Sequence, residues 1–321
     1  MTAVGKIDTH HHFFPRPYVE AVGMDALARV MPNKRAPQWS PDATIAMMDA
    51  YGIDEAILSI SPVPPQANTL TLLRACNDSA AELRARYPGR FGSFASLPLP
   101  DIDASLKEVS YCLDELKVDG FIIFTSYDGC YLGDARFTPL LEELDRRNAV
   151  VFVHPNDLSY EIPRIAPASV LEFPFDTTRT AASLIISGAV RRYSGIRYIF
   201  AHAGGALPYM MPRLSLSIAM MPGVAELVGD PLQAVRKFYF DTALSVGDST
   251  LAALAQVADL DRILFGTDYP MAPEFVIASS VDGLNRQSTP GMSTPNIHRH
   301  NATRLLKRNR GTRSDVSETL P

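Results

Sequence analysis

Short apolar segments alternate with longer segments of helical periodicity along most of the chain. Eight apolar segments are predicted β-strands, at residues 4–9, 54–61, 90–97, 118–124, 149–154, 196–202, 237–242 and 262–268. Several of them, such as AVVFVH at 149–154, are apolar almost throughout. This pattern is typical of strands that are buried on both faces of a parallel sheet covered by helices.

Helices are predicted between these strands, at residues 40–51, 70–87, 104–116, 138–148, 177–193, 205–220, 249–258 and 296–307. The first has the clearest boundaries, because Ser40-Pro41-Asp42 is a typical helix start and Gly52 a typical stop. Residues 15–39, which contain Met31-Pro32-Asn33, are predicted to be irregular. Residues 308–321 are polar and aperiodic, and we expect a disordered tail there.

Eight strand–helix units within about 300 residues predict a (β/α)₈ barrel of the TIM type, distorted and forming one domain over residues 1–307. A doubly wound open sheet is the structural alternative. No glycine-rich phosphate-binding segment follows the first predicted strand, which counts against that alternative.

Composition narrows the functional classes. The chain has 321 residues, a net charge of −5 and a pI near 5.8, so neither nucleic acid nor an anionic membrane is an expected partner. We expect no signal peptide and no membrane span, because no suitable apolar run is present. Its three cysteines, Cys76, Cys112 and Cys130, are far apart in sequence, which favours small core residues and a reducing cytoplasm.

Three consecutive histidines, His10-His11-His12, end the first predicted strand. Residues two apart in a strand share a face, so His10 and His12 can bind one ion together while His11 points away. Imidazole is a common ligand for zinc and similar metals. The alternative is a histidine-rich surface tract or cloning remnant, which the apolar strand pattern before the triplet disfavours.

Three further chemically active residues end other predicted strands: His154, His202 and Asp268. A single histidine after a strand is more often a satisfied core residue, and Asp268 alone before Pro270 could be a turn or cap residue. The carboxyl ends of barrel strands meet at one mouth, however, so these residues are expected to lie together. The remaining two histidines, His298 and His300, lie near the end of the chain.

At this point the sequence resembles the amidohydrolase superfamily, and within it the group that includes aminocarboxymuconate semialdehyde decarboxylase. The resemblance runs in order along almost the whole chain. It rests on the segments IDTHHHFFP (7–15), VFVHPND (151–157), IRYIFAHAGGALPYMMPRL (196–214), YFDTAL (239–244), ILFGTDYPMAP (263–273) and IHRHNATRLL (297–306).

The resemblance implies a set of site residues. Four of them would bind one divalent metal: His10, His12, His154 and Asp268. His202 would act as acid/base beside the metal. Arg213 matches a position where the group has an arginine for the substrate carboxylate, and that arginine can reach the neighbouring subunit's site, which implies a homodimer.

Two-metal members of the superfamily carry a bridging lysine after strand four, whereas this chain has Phe124-Thr125-Ser126 there. The resemblance therefore implies a mononuclear site. Three nitrogens and one oxygen suit zinc, and manganese is also compatible.

The length and the His-His-His-Phe start resemble the 6-methylsalicylate decarboxylases. The implied activity is non-oxidative decarboxylation of a small aromatic acid, with 6-methylsalicylate giving 3-methylphenol (m-cresol) and CO₂ as the specific expectation. Asp268, His202 or a water held at the metal would deliver the proton. Phe13, Phe14 and Trp39 are candidates for stacking on the ring, although core packing is the commoner role for each.

Two other functions stay open on the sequence alone. The same site could hydrolyse a lactone or an amide, because fold and ligands do not separate the two chemistries. A non-catalytic barrel with a structural metal is the second, although structural zinc sites are usually rich in cysteine and this one has none.

Overall fold

A computed structural model of the chain describes residues 4–31, 34–62, 68–156 and 165–310. Within these ranges one parallel sheet contains eight strands that lie side by side in chain order. They are β1 (Lys6–His12), β2 (Ile53–Ser59), β3 (Phe91–Ser96), β4 (Gly120–Phe124), β7 (Val150–His154), β8 (Arg197–Phe200), β9 (Tyr239–Asp241) and β10 (Ile263–Leu264). A small antiparallel hairpin of β5 (Ser126–Tyr127) and β6 (Cys130–Tyr131) follows β4.

Backbone hydrogen bonds between β1 and the segment after β10 close the sheet into a barrel. The Thr9 amide donates to the Phe265 carbonyl at 2.9 Å, the Asp268 amide to His10 at 2.8 Å and the His12 amide to Tyr269 at 2.7 Å. We call these contacts between residues 8–12 and 265–269 the closing seam. The predicted (β/α)₈ barrel is confirmed.

Helices surround the barrel. They are α1 (Arg16–Val22), α2 (Met24–Val30), α3 (Pro41–Tyr51), α4 (Leu70–Arg86), α5 (Ile102–Tyr111), α6 (Thr138–Arg146), α7 (Glu172–Ile186), α8 (Ala189–Arg192), α9 (Leu207–Ala219), α10 (Pro222–Val228), α11 (Pro231–Arg236), α12 (Asp248–Val257), α13 (Glu274–Arg286) and α14 (Asn301–Arg310). No helix in the described ranges is both long and apolar enough to span a bilayer.

Several sequence-based boundaries were wrong, for local reasons. Much of the stretch 15–39 predicted to be irregular is helical, because α1 and α2 form at residues 16–30 and Gly23 separates them with φ of 81°. The single helix predicted at 177–193 is two, since Gly188 adopts a left-handed conformation with φ of 72°. The closing helix reaches Arg310, and residues 311–321 of the expected tail lie outside the described residues.

The strand interiors form the core. Phe121, Phe152, Ile199 and Phe240 are all fully buried. Burial of each large apolar side chain stabilises the fold by about 2–3 kcal/mol relative to exposure. This packed interior supports the side chains at the carboxyl ends of the strands, where the site lies.

Candidate metal centre

His10 and His12 come from the end of β1 and meet His154, the last residue of β7. One ligand atom from each, together with a carboxylate oxygen of Asp268, falls within 4.8 Å of every other in the group. All four residues are buried. The structure thus brings together the four side chains that the resemblance implied as ligands.

The outer nitrogen of each of the three imidazoles has a partner. His10 Nδ1 lies 2.9 Å from Asp241 Oδ2, and His154 Nδ1 donates to the Pro155 carbonyl at 2.8 Å. His12 Nδ1 lies 3.4 Å from Ser59 Oγ, whose hydroxyl hydrogen is directed at the His11 carbonyl. Because each Nδ1 contacts a polar atom outside the group, each ring directs its Nε2 toward the point where the four side chains meet. This is the usual arrangement for histidines that bind metal.

The inner atoms fit a divalent cation. His12 Nε2 and His154 Nε2 lie 3.3 Å apart, and both present lone pairs because their hydrogens are on Nδ1. His10 Nε2 and Asp268 Oδ1 are 3.2 Å apart and buried, and neither has a hydrogen-bond partner in the described part of the chain. The lone pairs of His12 and His154, which meet without a donor between them, are what a cation would stabilise.

Asp268 lies four residues beyond β10, not at the end of a long strand as predicted, because β10 contains only two residues. Its backbone is left-handed, with φ of 60°, and its amide donates to the His10 carbonyl on the closing seam. Burial alone would raise the pKa of this carboxyl. Nearby His10, together with the close imidazoles of His12 and His202, instead holds the pKa well below its usual range.

The three imidazoles differ in charge preference. Burial lowers the pKa of His12, and burial together with the neighbouring histidines lowers that of His154 far more. At His10 burial acts in the same direction, but the carboxylates of Asp241 and Asp268 outweigh it and raise the pKa to about 10. A bound cation would compete with the proton on His10.

His202 stands beside the ligands without belonging to their group. Its Nε2 is 3.6 Å from Asp268 Oδ2, is buried and has no hydrogen-bond partner among the described residues. Residues 202–205 all have positive φ, and the Gly205 position has no room for a Cβ because the Pro174 carbonyl is too close. Few residues adopt these backbone conformations. The turn that they form directs the His202 side chain toward Asp268.

Asp241, at the end of β9, is a site residue that the sequence analysis missed. It is fully buried and contacts His10 as described. Its other oxygen accepts from the amides of His202 at 3.1 Å and Ala243 at 2.9 Å. The rule that identified Asp268, an acidic side chain at the end of a predicted strand, applies equally to Asp241 in YFDTAL and would have found it.

Other candidate residues lie elsewhere. Arg213 is exposed on α9. Phe13 packs against Trp39 with ring centroids 5.9 Å apart, and Phe14 stacks on Tyr18 in the core. Phe152 instead forms an apolar floor below the centre, with its ring centroid 4.9 Å from that of His10.

Comparison with known proteins gives consistent matches along the chain. The amidohydrolase family model matches residues 7–308. A 6-methylsalicylic acid decarboxylase of Aspergillus aculeatus is 37% identical over 94% of this chain and 96% of its own length. One from Penicillium expansum is 34% identical over 96% and 98%. Among solved structures, a 2,6-dihydroxybenzoate decarboxylase from Rhizobium is 26% identical, with a TM-score of 0.78 over 96% of this chain and 100% of its own.

Proposed function

The chain belongs to the amidohydrolase family, and on that premise we propose that it is a metal-dependent carboxy-lyase that removes CO₂ from a small aromatic carboxylic acid. The observation that carries the proposal is similarity to named decarboxylases over nearly the full length of both chains. The site supports it, since its ligand side chains and His202 surround one centre at the barrel mouth.

The substrate we propose is 6-methylsalicylate, with 3-methylphenol and CO₂ as products. Both fungal relatives above carry that substrate in their names. A salicylate presents adjacent carboxylate and hydroxyl oxygens, which together suit one hard or borderline cation.

The cofactor we propose is one divalent metal, held by His10, His12, His154 and Asp268. Zinc fits three imidazole nitrogens and one carboxylate oxygen, and manganese is compatible with the same donors. The metal would supply Lewis-acid charge that orients and polarises the substrate's oxygens.

His202 is the residue we propose for proton delivery. The reaction adds a proton to the ring carbon that bears the carboxylate, and the C–C bond then breaks with its electron pair returned to the ring as CO₂ leaves. Asp268 would carry no proton while it serves as a ligand. His202 Nε2 faces the same space, 3.6 Å from Asp268 Oδ2, which suits it to transfer a proton to a substrate held there.

A homodimer completes the proposal. One exposed face of α9 and of the residue that follows it carries Tyr209, Arg213, Leu216 and Met220 at helical spacing, with exposures of 83%, 63% and 68% for the three apolar members. An exposed apolar stripe on a helix commonly marks an interface. Arg213 sits within it, so we propose that it serves the substrate carboxylate of a neighbouring copy.

A cytoplasmic location is also proposed. Cys76, Cys112 and Cys130 are all free thiols, and burial raises the pKa of Cys76 to about 12. Unpaired buried thiols are ordinary in a reducing compartment and uncommon in an oxidising one.

The decisive experiment supplies purified, metal-loaded protein with 6-methylsalicylate in D₂O. We expect CO₂ and 3-methylphenol carrying one deuterium at the carbon that lost the carboxylate. The methyl ester of the same acid is the matched control, because a hydrolase would cleave it and a decarboxylase would leave it intact. Ester cleavage without CO₂ release from the free acid would identify a hydrolase instead.

A further inference from the structure

His11, the middle residue of the triplet, is absent from the ligand group yet fully buried. Its Nδ1 lies 2.8 Å from Asp8 Oδ2, while its Nε2 has no hydrogen-bond partner in the described ranges. Among the described residues, Asp8 is therefore the hydrogen-bond partner of the His11 ring.

A β-bulge explains how the two side chains meet. Regular alternation would place Asp8 on the face of His10 and His12, with His11 opposite. In the pairing of β1 with β2, Asp8 is opposite Ala56 and His11 is opposite Leu58. From Asp8 to His11 is three residues along β1 but only two along β2, so β1 contains one extra residue there. Such a bulge re-aims side chains, and here it lets Asp8 and His11 bond across it.

Asp8 also reaches across the closing seam. Its Oδ1 accepts from the amides of His10 at 3.1 Å and Thr267 at 3.0 Å, and its Oδ2 accepts from the Thr267 hydroxyl as well as from His11. Thr267 precedes Asp268 directly, and its hydroxyl oxygen accepts from the Tyr269 amide at 3.1 Å. The buried carboxylate of Asp8 thus links β1, which carries His10 and His12, to the segment that carries Asp268.

We infer that Asp8 and His11 are positioning residues that lock the bulge and set His10 and His12 at the correct distance from Asp268 for metal binding. The inference rests on the proposed metal site but not on the reaction. His11 supplies the fourth hydrogen bond to Asp8, which fixes the carboxylate between the two segments.

Two substitutions separate the hydrogen bond of His11 from its packing. The His11 ring also lies against that of Tyr269, with centroids 5.1 Å apart. His11→Asn keeps a side-chain N–H near the position of Nδ1 but removes the ring. His11→Phe keeps a ring against Tyr269 but removes the donor to Asp8.

The experiment measures Zn²⁺ affinity of wild type and both variants by competition with a chromophoric chelator, without substrate. We expect His11→Phe to weaken binding about 10–100-fold, the usual cost of losing an outer partner of a metal site, and His11→Asn to stay within a few-fold of wild type. Thermal unfolding of the metal-free proteins, recorded in parallel, reports any general loss of stability.

Equal affinity in His11→Phe and wild type would overturn the inference. Equal weakening in both variants would also overturn it, because packing rather than the hydrogen bond would then be responsible. If wild type itself binds no divalent metal, the metal site fails together with the inference. Failure of decarboxylation alone leaves these measurements unaffected, so the two failures are distinguishable.

Discussion

Asp241 holds His10 and His202 at once. One carboxylate oxygen lies 2.9 Å from the His10 ring at Nδ1, and the other accepts the His202 backbone amide at 3.1 Å. The proposed ligand His10 and the proposed proton donor His202 are therefore both positioned by the buried carboxylate of Asp241, which we call their anchor. This carboxylate links the geometry of metal binding to that of proton transfer.

Replacement of Asp241 by Asn tests this anchor. The amide oxygen would keep accepting from the two backbone amides, so its NH₂ would face His10 and favour the tautomer with hydrogen on Nε2. We expect metal affinity to fall about 10–100-fold in a chelator titration. Asp119→Asn is the matched control, since Asp119 is a buried carboxylate that accepts the Ser93 amide near the start of β4. Similar losses in both variants would contradict a specific role.

Gly266→Ala tests the packing around the same anchor. A Cβ at Gly266 would lie 2.8 Å from His10 Cβ, closer than side chains tolerate, and 3.2 Å from Asp241 Cβ, a tight contact. We expect weaker metal binding together with a lower melting temperature, because neither neighbour can move without breaking its hydrogen bond. Gly223→Ala in α10, where the added methyl meets nothing within 4 Å, should leave metal affinity unchanged without lowering the melting temperature. Wild-type metal affinity in Gly266→Ala would show that the site accommodates the displacement.

His154→Ala and His202→Gln should lose activity for different reasons. His154 is in the ligand group, so its loss is expected to abolish metal loading and CO₂ release together. His202 is outside that group, so His202→Gln is expected to retain the metal while losing turnover by about 100-fold or more. Metal content per chain and CO₂ release, measured on the same samples, distinguish the two. Full activity in a metal-free variant would exclude the proposed mechanism.

Mixing two inactive variants tests whether Arg213 acts on a neighbouring copy. In a heterodimer of Arg213→Ala with His202→Gln, one site would combine an intact His202 with the partner's intact Arg213. Random exchange should restore about a quarter of wild-type activity. A mixture of His154→Ala with His202→Gln is the control, because both residues would belong to one chain's own site. No recovery in the first mixture would place Arg213 outside a shared site.

His298 should make stability depend on pH away from the site. Burial, with a smaller contribution from Lys6, lowers the pKa of His298 to about 4. The unfolded chain takes up this proton near pH 6.5 and the folded chain near 4, so folding is progressively disfavoured as the pH falls through that window. We expect wild type to lose about 2 kcal/mol more than His298→Gln between pH 7 and 4.5 in urea unfolding. His300→Gln, at an exposed neighbour, should follow wild type, and identical slopes for wild type and His298→Gln would contradict the prediction.

Periodicity predicted the barrel well because the hydrophobic pattern is strong where strands are buried on both faces. The meeting of His10, His12, His154 and Asp268 at one mouth followed from the same pattern, since the carboxyl ends of parallel strands must converge, whereas their choice as ligands came from the family resemblance. His10 and His12, two apart on β1, needed only the alternation of a strand. Helix α3 was bounded correctly because its cap is local: Ser40 Oγ accepts the Ala43 amide, and Gly52 takes a left-handed conformation.

What the sequence could not reveal depends on contacts between distant residues. The bond between Asp8 and Thr267 joins opposite ends of the chain, and the bulge that aims Asp8 breaks the alternation on which the prediction rests. β10 is short because Phe265 and Asp268, which follow it, form backbone hydrogen bonds with β1 rather than with β9. No periodic pattern encodes such pairings, and helices of seven residues such as α1 are too short to produce one.

The closing seam affects how the barrel unfolds. It is where the first and last strands of the barrel meet, with His10 and His12 of the proposed ligands on one side and Asp268 on the other. A cation there would act as a cross-link that closes a loop of nearly the whole described chain, and it would stabilise only the closed form. The seam should therefore open less readily in the loaded protein than in the empty one.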